Sequence, residues 1–188
     1  MGQIYQVDPF GAKQPQMTVL GGNGGAFESF AYDVRDRSRP RFFVTEDHKD
    51  GALRRFTPDP EFVDWESPWK MLHGNGSFEY LVLNPREDTE DTTETQGTYH
   101  WTTSKPAGEF SARRFFRNSE GIDVSGKRLF FVSKRRHDMI VLDLDEATYA
   151  SFSTTNGMFD GQPDQIKYVI GEKDILYFTE VRALQDRK

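Results

Sequence analysis

Ser119-Glu120-Gly121-Ile122-Asp123-Val124, a Gly126-Lys127 turn and Arg128-Leu129-Phe130-Phe131-Val132-Ser133 form the stretch that decides the fold. A charged turn from Lys134 to Asp138 follows, then Met139-Ile140-Val141-Leu142-Asp143-Leu144-Asp145. The strands alternate or run apolar, as half-buried and fully buried strands do. An acidic residue opens the unit, and an aromatic-rich strand comes after the turn. The pattern occurs twice more. Phe27-Glu28-Ser29-Phe30-Ala31-Tyr32-Asp33 leads to Arg41-Phe42-Phe43-Val44-Thr45-Glu46-Asp47, and Pro163-Asp164-Gln165-Ile166-Lys167-Tyr168-Val169 leads to Ile175-Leu176-Tyr177-Phe178-Thr179-Glu180.

Glu28, Glu120 and Asp164 stand 92 and 44 positions apart, close to two to one. A period in the forties with paired strands marks a propeller blade. The expected fold is therefore an all-β propeller of about four blade-like units, one domain or propeller fragment over 1–188. Each blade would carry its acid on the inner strand near the axis. A ring of carboxylates there is either a metal site or a hole that repels anions.

The rest of the chain agrees with an all-β reading. Gln3–Val7 and Met17–Leu20 read as short strands, and Gly21-Gly22-Asn23-Gly24-Gly25 as a turn without the Lys-Ser/Thr of a phosphate loop. Gly51–Pro58 reads as a third strand of the first unit, and 59–69 as irregular. Ser77–Leu83 is a strand where a missing copy should fall, with Glu79 as a degenerate equivalent of the repeated acid. The acidic, Thr-rich run at about 84–97 reads as a surface insertion, because it has little apolar surface to bury. Tyr99–Thr103 and Phe110–Arg117 read as extended, and Asp145–Ala150 as a single helical turn. Other helix signals are weak.

Composition narrows the functions. The 188 residues include 16 Phe, enough large side chains for a core. A net charge of −6 without a Lys/Arg stripe argues against nucleic-acid binding. Lys134-Arg135-Arg136 and Arg113-Arg114 read as solvated edge or turn charges. With no cysteine, disulfides, thiolate metal sites and a cysteine nucleophile are excluded. No apolar run is long enough to span a bilayer, and no secretory signal is visible, so the compartment is open. His48, His73, His100 and His137 share no short ligand spacing, and no serine carries a nucleophile-elbow pattern.

Several of these motifs resemble the PhoX-type alkaline phosphatases, calcium-dependent six-bladed propellers. Val7-Asp8-Pro9-Phe10-Gly11-Ala12, Leu20-Gly21-Gly22 and Phe27-Glu28 resemble the region of a His-Glu pair, with Phe27 in the histidine place. The most specific match is Val44-Thr45-Glu46-Asp47 followed by Asp50-Gly51-Ala52-Leu53-Arg54-Arg55-Phe56-Thr57-Pro58. Arg117-Asn118-Ser119-Glu120-Gly121 is similar to an Arg-Pro-Glu-Gly turn, and Phe159-Asp160-Gly161-Gln162-Pro163-Asp164-Gln165 to a Gly-Pro-Asp-Asn turn. The resemblance implies a calcium cluster with Glu28, Glu46 and Glu120 as ligands and Asp164 as a ligand or a supporting acid. It leaves the phosphate-gripping cations unassigned, and Arg54, Arg55 and Arg117 are the candidates for substrate binding. It implies hydrolysis of a small phosphate ester and an extracellular or periplasmic setting. The family's iron site uses a cysteine and cannot be complete here. The family's propeller is also longer, so this chain is expected to be a shortened propeller or a partial one, completed by a partner chain or a missing segment. Two other readings stay open: a noncatalytic calcium-stabilised binding or scaffold module, and a lactonase-like hydrolase on a similar propeller.

Overall fold

The computed structural model describes residues 2–86, 95–155, 159, 161–169 and 175–181. A short hairpin of β1 (Tyr5–Gln6) and β2 (Gln16–Met17) precedes a four-stranded antiparallel blade. That blade is β3 (Phe27–Asp33), β4 (Arg41–Glu46), β5 (Arg54–Pro58) and β6 (Gly76–Pro85). β7 (Gln96–Thr102) and helix α1 (Lys105–Phe115) follow. The second blade is β8 (Ser119–Ser125), β9 (Arg128–Ser133), β10 (Asp138–Asp143) and β11 (Thr148–Ser153). β12 (Gln162–Tyr168) and β13 (Leu176–Val181) make a further hairpin.

The fold is all-β and propeller-like. β7 pairs with β6 on one side and β11 on the other, which joins the two blades through their outer strands. The resulting sheet, in the order β3-β4-β5-β6-β7-β11-β10-β9-β8, is nearly closed, because its two end strands β3 and β8 pack together. The expected spacing of about four units appears among the described residues as two blades and a hairpin. Most of the run at 84–97 lies at 87–94, outside the described residues, and its flanks belong to the ends of β6 and β7. Among the described residues no helix is long and apolar enough to cross a membrane.

The aromatic doublets explain why blades stack. Side chains alternate across a strand, so a strand apolar on both faces must be covered on both. Phe43 enters the core between the blades with Leu53, Leu81, Ile122, Leu129, Phe131, Ile140 and Leu142. Its neighbours Phe42 and Val44 face the other way, onto Leu20, Phe56, Met71 and Leu72. On β9, Leu129 and Phe131 enter the shared core, while Phe130 and Val132 pack with Ile166 of the β12–β13 hairpin.

Four local expectations are corrected. Met17–Leu20 reads as a strand, but β2 ends at Met17 and Val19–Gly21 is a 3-10 turn that buries Leu20. The segment read as extended at Phe110–Arg117 is mostly the end of α1. Ser104 caps this helix by accepting from the Ala107 amide (3.4 Å), Pro106 sits in its first turn, and Lys105 pairs with Glu109 (3.2 Å). Asp145–Ala150 does not form a helical turn: Thr148 onward is β11, with Ala147 at φ 53° in the turn before it. Glu79 lies on β6, an outer strand, and binds Arg55 at 2.6 Å, so it is not an equivalent of the inner-strand acids.

The closing edge of the fold is tied by charge. Arg35 grips Asp33 at the end of β3 and Asp145 in the turn after β10, each at 2.9 Å. Burial pushes the Asp33 carboxyl up, but the hydrogen bonds from Arg35 outweigh it and hold the group below the usual carboxylate range. A depressed folded-state pKa contributes stability that is present above the unfolded value of about 3.9 and is lost as pH falls through the folded value. The stability of Asp33→Asn, followed by urea unfolding, should therefore fall less steeply below about pH 4 than that of the parent. Equal acid slopes would show that Asp33 is not a source of this dependence.

Candidate metal centre at the inner strand edge

The repeated acids occupy one backbone feature. In β3, β8 and β12 the pairing with the next strand shifts register, between Phe27 and Phe30, between Ser119 and Ile122, and between Pro163 and Ile166. Glu28, Glu120 and Asp164 each sit inside such a bulge. A bulge inserts an unpaired residue and re-aims its side chain, and the acids of the first two bulges, Glu28 and Glu120, converge. At the β8 bulge the hairpin comes very close: a Cβ on Gly121 would collide with the backbone of Gln165 and Ile166.

Glu28, Asp47 and Glu120 come together, with carboxylate oxygens all within 4.8 Å of one another. Thr45 sets the approach. Its hydroxyl donates to the Glu120 carbonyl and accepts from the Ser29 amide (3.1 Å), which stitches β3, β4 and β8 at this point. Asp47 follows directly on β4. One of its oxygens accepts from the Asn118 side-chain amide at 2.6 Å, and the Asn118 backbone amide donates to the His48 carbonyl at 3.1 Å. Asn118 holds φ 52°, a left-handed conformation that Asn tolerates better than most residues.

Lys134, expected to be a solvated turn charge, is instead part of the cluster. Its ammonium donates to Glu120 and lies 3.4 Å from Asp47. Burial pushes the Glu120 carboxyl up to about 7, against the opposing pull of Lys134 and with help from the charges of Asp47 and Glu28. Glu28, whose side chain is largely exposed, is raised as well, by the partial desolvation of its carboxyl against the cluster first, then by Asp47 and, more weakly, Asp164. Asp164 is thus close enough to act on the cluster electrostatically without belonging to the converging trio.

The other sequence candidates lie elsewhere. Glu46, one residue before Asp47, reaches from the end of β4 to Arg54 on the neighbouring β5 at 3.2 Å. The buried Arg54 guanidinium also donates to the Leu20 carbonyl (3.1 Å) and lies 4.6 Å from the ring centre of Phe27. Arg54 thus locks the N-terminal segment onto the first blade. Arg117 donates its Nε to the Arg113 carbonyl at the end of α1, and its own carbonyl accepts from Ser133. Asp47 and Lys134 were missed in the sequence. Strand alternation carried the signal for the first, since Thr45 and Asp47 fall on the side facing β8 and Glu46 on the other.

Oxygen ligands of calcium lie 2.3–2.6 Å from the ion, so two ligands of one ion are at most about 5 Å apart. The trio meets that spacing and offers hard oxygen donors, and the ammonium against two of them shows that the pocket favours positive charge. The donor set therefore fits a cation of the calcium type. It does not fit an iron site that needs a cysteine thiolate, since the chain has no cysteine.

Neither a family model nor a curated protein sequence matches this chain. Among solved structures it is similar to Pseudomonas fluorescens PhoX in complex with vanadate, a transition-state analogue, with a TM-score of 0.61 and 13% identity. The match covers 90% of this chain and 41% of that one. The likeness concerns the fold, and the chain spans less than half the length of the protein it matches.

Proposed function

We propose that the chain is a phosphate-ester hydrolase module of the PhoX kind, working through calcium held by Glu28, Asp47 and Glu120. The observation that carries this reading is the convergence of the three carboxylates, two of them from equivalent bulges of successive blades. That PhoX was captured with vanadate, a transition-state analogue, supports phosphoryl chemistry on this architecture. Calcium bound there would supply positive charge against the oxygens of a phosphoryl group. Thr45 and Asn118 hold Glu120 and Asp47 in place, so little rearrangement is needed to present the donors. Asp164, beside the trio, supplies a further carboxylate for a ligand or an acid. Among the described residues Lys134 is the cation in contact with the trio and would meet a substrate phosphate there, a role the buried Arg54 and the Arg117 of the helix end do not fit.

The test is hydrolysis of p-nitrophenyl phosphate by purified chain after chelation and after calcium is restored, with Glu28→Gln alongside. Glu28 is exposed, so that substitution should leave folding intact. Activity that returns with calcium and falls at least about tenfold in the variant is expected. Hydrolysis of a lactone but not of the phosphate ester would replace this reading with the lactonase one. Stoichiometric calcium with no hydrolysis of either would select the noncatalytic module.

A further inference from the structure

Strand register aligns the blades residue by residue. Phe27 opposes Glu46 in the first, Ser119 opposes Ser133 in the second, and Pro163 opposes Glu180 in the hairpin. The next residue on the second strand of each unit is therefore Asp47, Lys134 and Val181. The position that gives the first blade its carboxylate ligand gives the second blade an ammonium. Glu28, Glu120 and Asp164 keep their sign across the same three units, so the reversal is confined to one slot.

The backbone around Lys134 is fixed. Its amide donates to the Asn118 carbonyl at 2.9 Å, and the buried Ser133 hydroxyl donates to the Arg117 carbonyl at 2.7 Å. Asn118 is the same residue whose side chain orients Asp47. One residue thus positions both the carboxylate and the base of the lysine stem, and only the flexible stem is left to move. Its ammonium reaches two of the three converging carboxylates, Glu120 and Asp47. A lysine is a compact charge on a rotatable chain, suited to leave and return where an arginine fork is not.

Resting on the metal reading above, we infer that Lys134 is a tethered cation that fills the ligand slot of the second blade and competes with calcium for Glu120 and Asp47. The lysine neutralises the carboxylates when no divalent ion is present, and calcium gains full use of them only as the ammonium withdraws. Metal affinity is thereby weaker than the carboxylate trio alone would give.

Calcium titration calorimetry on the parent and on Lys134→Met, which keeps the stem and removes the charge, tests this. The variant should bind calcium at least about tenfold more tightly, a lower bound given the strength of one charge about 4 Å away in a partly buried site. Equal affinity in the two would overturn the competition and leave the metal reading standing. No binding by either would overturn both. If the variant fails to fold, the parent alone decides. Acetylation of Lys134, read by mass spectrometry, should rise as calcium is added. Unchanged labelling while calcium binds would show that the ammonium does not withdraw.

Discussion

Phe131→Ala is expected to lower the unfolding free energy by about 3–5 kcal/mol, the range for truncating a buried phenylalanine. Phe131 is fully buried where the two blades meet, with its ring edge-on to Phe116 at 5.5 Å between centres. Phe116 follows the last turn of α1, and Phe43 and Leu53 reach the same core from the first blade. The cavity would open between three elements that cannot close it independently, because β7 ties their outer strands and the β3–β8 contact ties their inner ones. Urea unfolding monitored by tryptophan fluorescence gives the measurement. A loss below about 1 kcal/mol would mean that the blades do not depend on a common core.

Glu46→Ala should cost about as much, roughly 3–5 kcal/mol, for a different reason. Removing one partner of a buried ion pair leaves the other charge without compensation, and that penalty exceeds the worth of the pair itself. Arg54 is 8% exposed and among the described residues would keep only the Leu20 carbonyl and the face of Phe27. Adding Arg54→Met should restore much of the loss, because it removes the stranded charge. Calcium affinity is the second readout. Under the arrangement proposed here it is unchanged by a Glu46 substitution that still folds, such as Glu46→Gln, and sharply weakened by Asp47→Asn. If the Glu46 variant folds normally but binds no calcium, Glu46 rather than Asp47 is the ligand.

These two substitutions separate what neighbouring residues do. In Thr45-Glu46-Asp47 the strand period of two sends Thr45 toward Glu120 and Glu46 toward Arg54. A motif names all three without saying which faces the axis. The same holds for Lys134. Within the sequence it stands in a basic run that looks like solvated turn charge, and only its register with Asp47, across 87 positions of chain, makes it part of a carboxylate cluster.

Some features are set locally and were legible in order of residues alone. Aromatic doublets such as Phe42-Phe43 and Phe130-Phe131 require cover on both faces of a strand, which a stack of blades supplies. The spacing of Glu28, Glu120 and Asp164 marked one place in each unit, and each sits in the bulge of an inner strand. Helix α1 was also written locally, in Ser104 and Pro106, but the aromatic residues at its end obscured it. What only the tertiary structure decided is which charges meet. The direction of a side chain depends on strand parity and on bulges, and the pairing of distant charges depends on how blades abut. Neither is a property of any short stretch of chain, so Asp47 and Lys134 acquire their place at the centre only when the first and second blades close on each other.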